Sequence, residues 1–290
     1  MGEETGQDEE PTKDDVPRYE LIYRMTPGNT LRYQVEHAAK VQTTISGAQQ
    51  ISESHSNSVK SWGVQEPDEK GQIRFEHTVE HVEMWSSVTG RQPVKFDSRT
   101  DEKAPAEYEG VQDTIGKPLS QITMDAHGNI KRRVDKVPQI DLGIGGLVVP
   151  MPAKPIRIGT KWKTESTVQV RLQDGTPQAI KTQLLYELKG VQTGVATIGV
   201  RTEVLTPVTD SRIQSQLMQK VIQGEFKFDI DAGCLLSKEI HWDESVVGFS
   251  GPDSNMKYVA RFTERLVPEQ PETARRESRA PRTKRAQTKR

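Results

Sequence analysis

The residues with the most direct chemical potential are His77-Thr78-Val79-Glu80-His81. On a helix, a His-x-x-Glu-His spacing sets two imidazoles on adjacent turns, where they can share a zinc ion while the carboxylate takes a proton from metal-bound water. The product would be a metallohydrolase. On a strand, the two histidines share a face but stand about 13 Å apart at ~3.3 Å per residue, too far for one ion. The turn at Pro67–Gly71 and the alternation of Ile73, Phe75, His77 and Val79 predict a strand, although Phe75, Val79 and Val82 also fit a helical period. No second helix offers a third ligand. A zinc hydrolase using His77, Glu80 and His81 is therefore kept as an alternative, and no residue is assigned as catalytic, cofactor-binding or metal-ligating.

Other chemistry is argued down in the same way. Leu142-Gly-Ile144-Gly-Gly-Leu147 is rich in glycine, but it lacks Gly-Lys-Ser/Thr and has no βαβ unit around it, so a packed loop is expected there and no nucleotide cofactor. No Gly-x-Ser-x-Gly elbow occurs. Cys234, the single cysteine, excludes an internal disulfide and sits in a strand-like run as a buried thiol. Glu107, Glu109, Asp229 and Asp231 stand at turns or helix starts, where capping explains them.

The elements that would position any site read as β almost throughout. Tyr19, Leu21 and Tyr23 alternate in a first strand-like piece, and Pro27-Gly28-Asn29 is turn chemistry. Leu31 to Ile45 and Ile51 to Val64 form two long strands around Ser46-Gly47, the second so rich in serine that one face is expected to be wet. The apolar phase slips at Glu80–His81, as a bulge would make it. Pro105 to Ile115 predicts a short helix, and Asp125-Ala-His-Gly128-Asn-Ile130 a hairpin turn. Asp210-Ser211 caps a helix that presents Ile213, Leu217, Val221 and Ile222 on one face and stops at Gly224. Asp231-Ala-Gly233-Cys-Leu235 then matches the Asp125 turn, and the order strand, helix, strand, turn, strand occurs twice. Met256, Tyr258, Ala260 and Phe262 close the sheet.

Between the halves lies Pro150-Met-Pro152-Ala-Lys-Pro155-Ile-Arg-Ile-Gly159-Thr-Lys-Trp162. Its three prolines fix extended backbone and remove three donors, which excludes a helix or a central strand. The expected organisation is an acidic disordered tail (1–17), a first β-meander half (18–149), a rigid connector (150–158), a second half (159–267) and a basic disordered tail (268–290). The tails account for part of a low apolar share: 33%, raised to about 41% by the 22 glycines, against a usual 45–50% or so. The net charge of −1 hides their opposite signs. The basic tail, Arg275 to Arg290, can touch an anionic polymer or membrane surface by charge alone, but it lacks interleaved aromatics, so no specific nucleic-acid binding is expected. No run approaches the ~20 apolar residues of a membrane span, and the N-terminus has no signal-peptide pattern.

Tyr33, Phe96-Asp97-Ser98, Asp125 to Ile130, Pro152 to Trp162, and Phe228-Asp229 with Gly233 together resemble an uncharacterised family of exported bacterial β proteins. Its members carry a Pro-x-x-Pro-Val-x-x-Gly-Asp-x-Trp connector, and Thr160 stands where the family usually has aspartate. The resemblance covers about residues 18–267 and implies an exported or envelope location. At the level of fold it is similar to half-barrel lipoprotein carriers. The resulting expectation is a mainly β chain with minor α: two antiparallel meanders in a curved sheet or half-barrel. Its concave face would bind a hydrophobic or polymeric ligand, such as a lipid or an envelope component, without catalysis. The alternative is a structural or protein-interaction module of the cell envelope.

Overall fold

A computed structural model describes residues 16–136 and 148–268. The alternating apolar runs form one curved, open antiparallel sheet of 12 strands with two short helices. The first half contributes β1 (Thr30–Ile45), β2 (Ala48–Gln65), β3 (Ile73–Val88), β4 (Val94–Asp97), α1 (Glu109–Gln112), β5 (Pro118–Met124) and β6 (Ile130–Asp135). The second contributes β7 (Lys161–Arg171), β8 (Pro177–Gln192), β9 (Val195–Val204), α2 (Ser211–Leu217), β10 (Gln223–Asp229), β11 (Cys234–Val247) and β12 (Ser254–Leu266).

Across the sheet the order is β6-β5-β3-β2-β1-β12-β11-β10-β9-β8-β7, with β4 beside the far end of β3. The two meanders thus run side by side in the same sense, and β12 joins them. This corrects the expectation that β12 closes the sheet: it lies in the middle, antiparallel to both β1 and β11. A last strand in sequence is no edge in space when the chain returns to pair with its first strand.

The helices are shorter than the apolar spacing implied. Asp210 caps α2 as expected, accepting from the Arg212 amide at 2.8 Å, but α2 ends at Leu217. Val221 and Ile222 lie in the link to β10, and Gly224 is a strand residue. Burial against the sheet, not helical continuation, accounts for their apolar character. The Pro105–Ile115 segment gives a 3-10 turn at Ala106–Tyr108 followed by α1.

Tyr19 to Arg24 does not form a strand. It is a strap that holds only an isolated bridge, Tyr19 to Ile156 of the proline connector. The strap runs between the two matching hairpin turns: the Tyr23 amide donates to Ala126 O (2.7 Å) and the Arg24 amide to Gly233 O (2.9 Å). Tyr23 Oη lies 3.1 Å from both the carbonyl and the amide of Val149, and Trp162 Nε1 donates to Pro150 O at 2.8 Å. Strap and connector together therefore cover one end of the inner face. Gly128 makes this close approach possible. Its φ is +76°, and a Cβ there would stand 2.7 Å from Val149 O and 2.8 Å from the Tyr23 ring.

The main core lies under this cover: Leu21, Tyr23, Tyr33, Trp62, Phe75 and Phe228 are buried there among aliphatic neighbours. Smaller clusters sit under α1 (Val82, Phe96, Tyr108) and α2 (Val170, Ile180, Ile213, Leu217). The acidic and basic tails and the Leu142–Leu147 glycine run fall outside the described residues, apart from a few residues at the tail boundaries.

Candidate functional site

The concave face is the candidate site, and its floor follows from register. Residues opposite one another share a face, and every second residue returns to it. From Tyr33, which is fully buried in the core, the inner side of β1 continues as Val35, His37, Ala39, Val41 and Thr43. Opposite these on β2 stand Lys60, Ser58, Ser56, Ser54, Ser52 and Gln50, and on β12 stand Leu266, Glu264, Phe262, Ala260, Tyr258 and Met256. The serine-rich face of β2 is wet as expected, but it is the concave face that is wet. The same side of the strand carries Trp62 at its covered end.

Toward the other end the floor is small. Val35, His37, Ala39, Val41, Ser56 and Ser58 are half-buried, with Val35, Ala39 and Val41 packed against the edge of the main core. Large residues stand on both flanks. On one side are Met84, Phe96 and Tyr108, whose hydroxyl bonds Ser86 Oγ at 2.7 Å. On the other are Trp242 and Tyr258, with ring centroids 6.2 Å apart. His37 meets the edge of Trp242 at 6.2 Å, and Trp242 Nε1 donates to Gln219 O just beyond α2. The result is an open trough with an aliphatic and hydroxyl floor between two helix-covered shoulders.

The motif at His77 is taken apart by the predicted bulge. Lys60 pairs with Val79 and Val59 with His81, which leaves Glu80 as the extra residue. His77 therefore faces inward beside Trp62, while the slip carries His81 to the outer face. Glu80 accepts from Arg32 Nε at 2.8 Å. Two histidines on opposite faces do not share an ion, and among the described residues no group of three metal-ligating side chains is assembled. Burial pushes the His77 pKa down to about 3, with the Lys60 charge adding to the effect, so its imidazole is neutral near pH 7.

The sequence reading missed a buried charged row at the inner end of the trough. Lys60 Nζ donates to Glu264 Oε2 at 2.7 Å, and Lys238 Nζ stands 3.6 Å from the same oxygen. All three residues are buried, Glu264 at 1% exposure and Lys238 at 2%. Burial raises the Glu264 pKa, but the two ammonium groups outweigh it and hold the carboxyl below its usual range. Burial lowers Lys238 to about 8, with Glu264 pulling the other way. Lys60 also lies 5.6 Å and 5.4 Å from the ring centroids of Tyr33 and Trp62, within cation–π range. A signal was present in the strands. Glu264 falls in phase with Tyr258, Ala260 and Phe262, and Lys238 with Ile240 and Trp242, so each charge occupies an apolar-phase position.

Around this row, Tyr33 Oη, Trp62 Nε1, His77 Nδ1, Ser120 Oγ and Glu264 Oε1 are buried without a hydrogen-bond partner. Each such atom costs roughly 1–3 kcal/mol. On the outer side, a hollow of about 690 Å³ opens where β10 begins, lined in part by Arg201, Glu225, Glu239, His241 and Asp243. Its exposed polar side chains pair locally, Arg201 with Glu203 at 2.6 Å and His241 with Glu239 at 3.2 Å. Among the described residues no helix is long and apolar enough to cross a membrane.

No family model and no curated protein matches the chain. The resemblance to the exported β family therefore rests on its motif residues. Among solved structures, a lipovitellin determined for its lipid–protein interactions is similar at 12% identity and a TM-score of 0.49, over 91% of this chain and 27% of that one. DynF from the dynemicin biosynthesis pathway of Micromonospora chersina is similar at 6% identity and a TM-score of 0.22, over 92% and 95% of the two chains. The chain spans about a quarter of the lipovitellin chain. Both similarities are distant.

Proposed function

We propose that the chain is a non-catalytic binding protein that holds a hydrophobic ligand in the trough of its concave face. One observation carries this reading. On the inner face of β1 and β2 the side chains are small at Ala39, Ser54, Ser56 and Ser58, while β12 alternates Phe262, Ala260 and Tyr258 beside them and Met84, Phe96 and Tyr108 stand on the other flank. A sheet that only needed a filled core would place bulk along its inner face, because interiors pack to near-crystal density. Small floor residues between tall walls instead leave room for an extended apolar chain, and the half-buried Val35 and Val41 supply contact. The envelope setting of this reading comes from the motif resemblance at Tyr33, Phe96–Ser98 and the connector.

The test is native mass spectrometry of the full chain purified from its own host, together with titration of a fluorescent acyl-chain probe. A retained mass of lipid size, and saturable probe binding lost in Ser56→Trp with the far-UV circular dichroism unchanged, are the expected results. A bare polypeptide mass with no saturable binding would remove the reading. The interaction-module alternative draws on β6, an edge strand exposed along its whole length. An edge of that kind offers unpaired backbone groups to a partner strand.

A further inference from the structure

We infer that the ligand is an acidic amphiphile whose oxyanion head group is held at the inner end of the trough by Lys60, Tyr33, Trp62 and His77. The inference rests on the carrier reading above and specifies the chemistry of its ligand.

Tyr33 Oη, Trp62 Nε1, His77 Nδ1, Ser120 Oγ and Glu264 Oε1 lie together, while Gln183 Oε1 lies apart on β8. In the register Tyr33 faces Lys60, Trp62 faces His77, and His77 faces Ser120. Lys60 on β2 and Glu264 on β12 flank β1 and meet across it. The polar groups thus form one stripe across the inner face, from β5 through β3, β2, β1 and β12 to β11. Buried polar groups in native proteins are almost always satisfied by protein, water or ligand, so a stripe of orphans marks a place where something polar sits.

The composition of the stripe says what that is. An indole nitrogen is a donor only, a tyrosine or serine hydroxyl donates readily, and an ammonium has three donors and no acceptor. Trp62, Tyr33, Ser120 and Lys60 therefore offer donors, and neutral His77 can add one at Nδ1. Against them stands one unpartnered acceptor, Glu264 Oε1. A carboxylate or phosphate complements a donor-rich stripe, and charge-assisted bonds to it are the strong kind. Val35 and Ser58, half-buried beside Glu264 and Lys60, form the border between stripe and trough. A head group in the stripe consequently leads its chain over Ser56, Ala39 and Ser54. Lys60 also neutralises Glu264.

The experiment compares oleate, oleyl alcohol and inorganic phosphate on the delipidated full chain by isothermal titration calorimetry. Oleate is expected to bind at least about tenfold more tightly than the alcohol, and phosphate alone not at all. Lys60→Met is expected to erase the preference for oleate over the alcohol. Equal affinity for acid and alcohol on the wild-type protein would overturn the head-group site and leave the carrier reading intact. Binding of neither would remove the carrier reading itself. Saturable phosphate binding would show a free-anion site and overturn the amphiphile. The wild-type comparison decides the matter even if Lys60→Met does not fold.

Discussion

The two ends of the concave face share several of the same strands and are built to opposite ends. At the strapped end Trp62 stacks on Phe75 with centroids 4.7 Å apart, Tyr33 lies 5.1 Å from Trp62, and Tyr23 meets Phe228 edge-on at 5.2 Å. At the open end the same face of β1 and β2 carries alanine and serine. Strand pairing is continuous through both, so backbone hydrogen bonding does not distinguish them. What differs is side-chain volume and cover. The difference teaches that a curved sheet closes its own interior only where bulk on the strands meets an added segment, here the strap and the proline connector. Where neither is supplied, the curvature is left as space.

The comparison can be broken hardest at the strapped end. Trp62→Ala removes the centre of the aromatic stack and is expected to cost about 3–5 kcal/mol, read from the midpoint of urea unfolding. A loss under about 1 kcal/mol would mean that this end is not the core of the fold.

A smaller effect lies at the border of the two ends. His77 has a folded pKa of about 3, below its ordinary 6.5. Between those values the unfolded chain binds the extra proton, so this group's contribution is intact above about pH 6.5 and is lost as pH falls toward 3. The slope approaches about 1.4 kcal/mol per pH unit. Lys60, Lys238, Arg133 and Glu264 act on the same imidazole. Burial together with His55 also lowers the His37 pKa. The His77 share is therefore the difference between wild type and His77→Gln from pH 6.5 to 4.5. Parallel stability curves for the two proteins would contradict the assignment.

The smallest effect is expected at the open end. Ser54→Ala exchanges one small exposed side chain for another and should leave stability within about 0.5 kcal/mol. A calorimetric loss above about 1.5 kcal/mol would show that Ser54 is packed by something over the trough, and the contrast between the ends would fall.

Much of this was legible locally. The alternation at Ile73–Val79, the slip at Glu80–His81, the Asp125 and Asp231 turns and the Asp210 cap each depend on neighbours in sequence, and each appears where its residues put it. The candidate site was less legible. His77 and His81, taken as positions on one strand face, were separated to opposite faces by a single extra residue, Glu80. The Lys60–Glu264 pair joins residues 204 apart, and no spacing rule links them. The strap read as a strand because Tyr19, Leu21 and Tyr23 alternate. Alternation reports that every second side chain is buried, not what buries it.

The sequence by itself determined the period of the chain, its turns and the small volume of Ser54, Ser56, Ser58 and Ala39, because those follow from residue type and local backbone preference. Only the tertiary structure decided that β12 lies in the middle of the sheet, that the serine face is the concave one, and that Lys60, Lys238 and Glu264 converge. Those outcomes depend on strand order and register, which are fixed by the burial of distant residues against one another.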